Sequence, residues 1–161
     1  MATRWDRLCY SVVFFVLLGG LTQAIAQPLR TVTHVVDGDT IVLENGEIVR
    51  LLGIDAPEIK HATKEGAEMG REAAGFARKL LEGKKVRLEF DPSSPNITHK
   101  DDRNRTLAYV FLADGTFVNA EMVRQGYAFI IPGFAHQYQE EFQRLQKEAQ
   151  EKKRGLWKND S

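Results

Sequence analysis

The chain contains a single cysteine, Cys9, and it lies near the start of the sequence. Downstream of residue 26 there is no thiol, which excludes a disulfide scaffold, thiol catalysis and cysteine-ligated zinc. Neither charge sign is in excess, with 22 basic and 22 acidic side chains. Taking away Arg4, Arg7 and Asp6 leaves 20 basic against 21 acidic, so residues 27–161 carry about −1. A surface that grips polyanions over its whole extent is thereby excluded, and any nucleic-acid contact must be local. Glycine-rich phosphate loops are absent, and Ser93, Ser94 and Ser161 lack the setting of a nucleophile elbow. Of the four histidines, His34 falls in a strand pattern, His61 and His99 in polar loops, and His136 at a helix start. None pairs with another at metal-ligand spacing on a helix face.

Long hydrophobic runs are also lacking. The longest, from Leu8 to Leu21, falls short of the ~20 residues a membrane span needs. It follows Arg4 and Arg7 and precedes Ala24-Ile25-Ala26, the small-x-small pattern of a signal-peptidase site. Residues 1–26 therefore read as a cleaved signal peptide, and residues 27–161 as one exported domain, secreted or periplasmic. An uncleaved N-terminal membrane anchor is the alternative. With cleavage, Cys9 lies too far upstream to serve as a lipid anchor, and no membrane association remains. Asn96-Ile97-Thr98, Asn104-Arg105-Thr106 and Asn159-Asp160-Ser161 match the N-glycosylation acceptor pattern, which short sequences also meet by chance.

What is present begins with β-branched side chains over residues 30–36 and 40–43, interrupted by Asp37-Gly38. Asn45-Gly46 then predicts a type I′ hairpin leading into a strand over residues 47–54. The period changes over residues 70–82, where Ala73, Phe76, Ala77, Leu80 and Leu81 recur at helical spacing before Gly83. Residues 85–90 alternate as a half-buried strand, residues 91–104 form a polar loop, and residues 105–111 form a fifth strand. Helices are expected over residues 118–125 and 136–153, with Trp157 docking the tail. The sum is an α+β domain: a closed five-stranded antiparallel barrel with about three helices. Such barrels remove exposed edges and often bind nucleic acid.

Chemistry concentrates around one stretch, Arg50-Leu51-Leu52-Gly53-Ile54-Asp55-Ala56-Pro57-Glu58. An apolar strand here opens on a cation and closes on two carboxylates, where Pro57 ends it. Asp37 and Asp39 lie at the preceding turn. Gathered carboxylates repel unless a cation compensates them, and oxygen-rich sites suit hard ions such as calcium. Turn aspartates also bond simply to their own backbone. Arg50 and Arg105 carry forks that fit phosphate oxygens, although most arginines are solvated surface groups. Strand alternation puts Arg50 and Asp55 on opposite faces, so convergence requires a bend, for which Gly53 is the candidate.

Asp37-Gly38-Asp39-Thr40, the stretch from Arg50 to Glu58, the segment from Asp101 to Tyr109, and Val118-Asn119 through Gly126 together resemble the thermonuclease, or staphylococcal nuclease-like, family. The resemblance runs from about Thr31 to Trp157. It implies an OB-type five-stranded barrel and a calcium-dependent phosphodiesterase acting on DNA and RNA, with single-stranded or unpaired regions as substrate. By that likeness Asp39, Asp55 and the Ala56 carbonyl are calcium ligands, and Glu58 is the general base. Arg50 and Arg105 bind the phosphate and stabilise its transition state. Expulsion of the 5′-oxygen leaves 3′-phosphate ends. A monomer is the expected state.

The chain departs from the family pattern at Arg103-Asn104, where Tyr-Gly is common, and at Asp102, which is often basic. The pocket tyrosines fall near Pro132 and Phe134, without hydroxyls. These changes predict weaker nucleotide binding beside an intact catalytic set, since each aromatic stack contributes ~1–3 kcal/mol. The alternatives are a non-catalytic nucleic-acid- or protein-binding barrel of the same fold, and a calcium-stabilised structural domain.

Overall fold

In the computed structural model, residues 28–58, 63–93 and 99–158 are described. The expected signal segment, His61 and two of the three glycosylation patterns lie outside them. In chain order the elements are β1 (Arg30–Val35), β2 (Thr40–Leu43), β3 (Ile48–Leu51), β4 (Ile54–Asp55), α1 (Lys64–Leu81), β5 (Lys85–Glu89), β6 (Thr106–Leu112), α2 (Val118–Arg124), β7 (Phe129–Ile130) and α3 (Gln139–Glu151), with a short 3₁₀ turn at Gly155–Trp157.

Five strands close into a barrel in the order β1-β2-β3-β6-β5, with β5 returning to β1. Val32, Val35, Ile41, Leu43, Val49, Leu51, Val86 and Ala108 are fully or almost fully buried in its core. The architecture is the expected α+β barrel with three helices, but its strands are not all antiparallel. The β3–β6 seam is parallel, with Arg50 opposite Leu107. Parallel neighbours need a long crossover, and the chain supplies one through β4, α1 and β5.

The hairpin at Asn45-Gly46 forms, though not as a type I′ turn. Only Gly46 has positive φ, at 79°. Leu43 accepts from the Gly46 amide and donates its own N–H to Glu47, each at 2.9 Å. That closure is a three-residue loop with glycine in the left-handed position, the next commonest hairpin. The Asn45 side chain braces it by accepting from the Glu47 amide at 3.2 Å.

Helix α1 starts at Lys64, a turn and a half earlier than the apolar period predicts. Thr63 caps it by accepting from the Gly66 amide at 3.2 Å. Its buried face is Gly70, Ala73, Ala74, Ala77 and Leu81, small residues that let it lie close to the barrel. The approach is tightest at Gly38, where an added Cβ would sit 2.6 Å from the Ala56 Cβ and 3.0 Å from the Ala73 Cβ. The turn carrying Asp37 and Asp39 is thus pressed between the helix and residue 56.

Helix α2 packs on β6 and on α3. Buried Asn119 on α2 ties the layers together, accepting from the Val110 amide at 2.9 Å and donating to the Leu52 carbonyl at 3.0 Å. Phe142 and Leu145 of α3 complete that core. The tail docks as expected, with Trp157 edge-on to Phe129 at 5.2 Å. Strands β4 and β7 pair in a second, two-stranded sheet that the hydrophobic pattern does not announce.

Candidate active site

The stretch from Arg50 to Glu58 is not one strand. Gly53, at φ 81°, breaks it, and β4 leaves in a new direction. Arg50 fills the inside of that bend. Its Nη1 donates to the carbonyls of Leu51 at 2.9 Å and Ile54 at 2.6 Å, and its Nη2 donates to Asp55 Oδ1 at 2.7 Å. The expected bend at Gly53 therefore exists, and the guanidinium holds it shut.

Asp39 approaches from the turn before β2. One carboxylate oxygen meets Arg50 Nε at 3.0 Å and the Thr40 hydroxyl at 3.0 Å, while the other accepts from the Ala56 amide at 2.6 Å. Only 5% of Asp39 is exposed. Burial, reinforced by Asp37, pushes its carboxyl up to about 7 against the opposing pull of Arg50 and the donors to its oxygens. Arg50 alone does not offset the loss of water around this carboxylate. Asp37 behaves as the ordinary turn aspartate, its Oδ1 accepting from the Asp39 amide at 3.1 Å.

Arg105 enters from the loop before β6 and is gripped by Asp101. That carboxylate accepts from the Arg105 backbone N–H at 2.8 Å, from its Nε at 2.7 Å and from the Arg103 amide at 3.0 Å. These contacts hold the Asp101 carboxyl below its ordinary range, although partial burial opposes them. Sequence reasoning missed Asp101 as an orienting group. Its one signal is an aspartate four residues before the arginine in a tight polar loop.

All six positions singled out from the sequence, Asp39, Arg50, Asp55, Ala56, Glu58 and Arg105, line one cleft of about 330 Å³. Asp37 and residues 101–103 complete its wall, so Arg103 adds a third guanidinium-bearing residue where an aromatic is common. Asp55 and Glu58 are both exposed. The donors are oxygens only, suited to a hard cation. Among the described residues, however, no three acidic, histidine or cysteine side chains form a ready metal cage. The oxygens that remain are one lone pair on Asp39, the outer oxygen of Asp55 and a backbone carbonyl, a set that suits calcium with water completing its shell.

Pro132 and Phe134 do not face this charged cleft. Phe134 stacks on His136 with ring centres 5.7 Å apart and lines an adjoining recess with Leu51 and Leu107. Pro132 lines a second, apolar recess beside Asp55.

This cleft on a closed barrel coincides with a family match. Residues 48–159 fit the family model described as "Staphylococcal nuclease homologue". The chain belongs to that family. It is 35% identical to a thermonuclease of Staphylococcus hyicus over 146 residues, covering 87% of this chain and 81% of that protein. It is 37% identical to a thermonuclease of Staphylococcus intermedius over 132 residues, covering 78% of this chain and 74% of that one. A Methanocaldococcus jannaschii protein of uncharacterised activity is also 37% identical, covering 78% of this chain and 70% of its own.

Proposed function

We infer that this member of the staphylococcal nuclease family is a nuclease: an exported, calcium-dependent phosphodiesterase that cleaves DNA and RNA to 3′-phosphate ends. The observation that carries this reading is the meeting of Arg50, Arg105, Glu58 and the Asp39–Asp55 oxygens in one cleft. Four of the five N–H groups of Arg50 are taken by Leu51, Ile54, Asp55 and Asp39, which leaves one on Nη2 for a phosphate oxygen. Arg105 is fixed through Nε, so its two Nη groups form the free end of the fork. Donors fixed in this way meet the charge growing on phosphorus without reorganising. Glu58, at the mouth, takes the proton from the attacking water as the P–O bond to the 5′-oxygen breaks. Calcium held by Asp39, Asp55 and the Ala56 carbonyl would add positive charge beside the phosphate.

Cleavage of single-stranded DNA by the purified protein, with calcium and then with chelator, tests the proposal. Calcium-dependent products ending in 3′-phosphate are expected. Folded, calcium-loaded protein that cuts neither DNA nor RNA would refute it and favour a binding module.

A further inference from the structure

Two apolar recesses flank the charged cleft on different sides. One adjoins Arg50, Asp101 and Arg105 and holds Phe134. The other, of about 690 Å³, adjoins Asp55 instead and is walled by residues 129–132 and Gln146. Its size lies within the ~300–1,000 Å³ of ordinary ligand pockets. Exposed Ile131 lines both recesses.

Gln146, on α3, is the one polar side chain in the second recess besides Asp55. Its Oε1 accepts from the Ile130 amide at 2.9 Å. An amide N–H only donates, so the atom facing it is oxygen and the orientation of the carboxamide is set. Among the described residues no protein group accepts from its Nε2. A pair of N–H donors is thus held by α3 at an apolar wall that runs into the catalytic cleft. Apolar walls with a fixed carboxamide donor suit an unpaired nucleobase, which offers a π-face and carbonyl or ring-nitrogen acceptors at its edge.

We propose that this recess is a second base subsite, holding the nucleobase on the Asp55 side of the scissile phosphate through Gln146. The proposal rests on the nuclease reading. A base paired in a duplex has its edge engaged and its faces stacked, so the subsite also selects unpaired strands.

The test uses oligothymidylate carrying one abasic unit at successive positions, with product lengths reporting each bond. In the unaltered protein, a missing base on either side of a bond should slow its cleavage about tenfold, within the range of one stacking contact. Gln146→Glu keeps the acceptor for Ile130 and replaces the donors by a carboxylate oxygen. Intact oligothymidylate should then be cut about tenfold more slowly, and an abasic unit on one side only should bring no further loss. Equal further losses on both sides would overturn the subsite while leaving the nuclease standing.

A binding readout separates the two ideas. Trp157 is the only tryptophan after residue 26 and packs on Phe129 of this wall, so its fluorescence reports on the recess. Thymidine dinucleotide should change that fluorescence in the unaltered protein and not in Gln146→Glu, whether or not hydrolysis occurs. No change in either protein overturns the proposal.

Discussion

Arg50 is both a structural clasp and a candidate phosphate ligand, and the two roles predict different losses. Removing it frees the Leu51 and Ile54 carbonyls and leaves Asp39 buried without its cation. Arg50→Ala should therefore lose stability as well as activity, a mixed result that does not isolate catalysis. Glu58 gives the cleaner experiment because it is exposed. Glu58→Gln should lower kcat by orders of magnitude with unchanged thermal unfolding, and near-normal kcat would end its role as base. Arg105→Ala should fall mainly in kcat, since developing charge is what the fork meets. Asp101→Ala should reproduce part of that loss, about tenfold, by freeing the fork it holds. Asp101→Asn, which keeps an acceptor oxygen, should recover some of it; equal rates in the two variants would mean that Asp101 does not orient Arg105.

At the scale of elements, Gly53 decides whether the arginine and the carboxylates meet. Its φ is 81°, and an added Cβ would sit 2.8 Å from His136 Nε2 and 3.1 Å from the Phe142 ring. Gly53→Ala should cost about 2 kcal/mol or more, combining left-handed strain with overpacking. Denaturant unfolding measures this, and a loss under 0.5 kcal/mol would show that the bend tolerates a side chain. The sequence makes this bend legible because strand alternation leaves Arg50 and Asp55 irreconcilable without it. Hairpin position and the apolar part of α1 are legible for similar local reasons. The first turn of α1 is not, because Gly66 and Gly70 weaken its helical signal while the Thr63 cap and close packing on the barrel sustain it. Strands β4 and β7 are two residues each, too short for any period, and exist because the bend and the turn before α3 bring them together. The parallel β3–β6 seam and the Asp101 clasp likewise depend on contacts between elements, which a linear pattern does not carry.

Across the whole molecule, the barrel is joined to the segment entering α3 through a buried polar cluster. Tyr109 of β6 donates to Asp91 and meets His136 Nδ1 at 3.1 Å, while Asp91 also accepts from the Gln137 amide at 2.9 Å. His136 in turn packs against Gly53, so this joint backs the bend that Arg50 clasps. Burial opposes charge on Asp91, but donation from Ser93, Tyr109 and Gln137 outweighs it and draws the carboxyl down from 3.8 to about 2. The unfolded chain then binds the Asp91 proton more tightly than the folded one, and stability falls as pH drops from about 4 to about 2. That single difference amounts to about 2 kcal/mol. His136 is shifted downward too, chiefly by burial, with Asp91 pulling the other way. Its proton also favours the unfolded chain, so this loss begins earlier, below the ordinary histidine value of 6.5. Asp39, held up to about 7, works the other way and adds stability as pH falls from about 7 towards about 4. The two declines are therefore read from urea unfolding between pH 7 and pH 2 as differences between variants, in which the other titrating groups cancel. Asp91→Asn should flatten the lower decline, and His136→Gln the upper one. If Asp91→Asn leaves the lower decline as steep as before, the acid sensitivity belongs elsewhere and Asp91 is not the anchor of this joint.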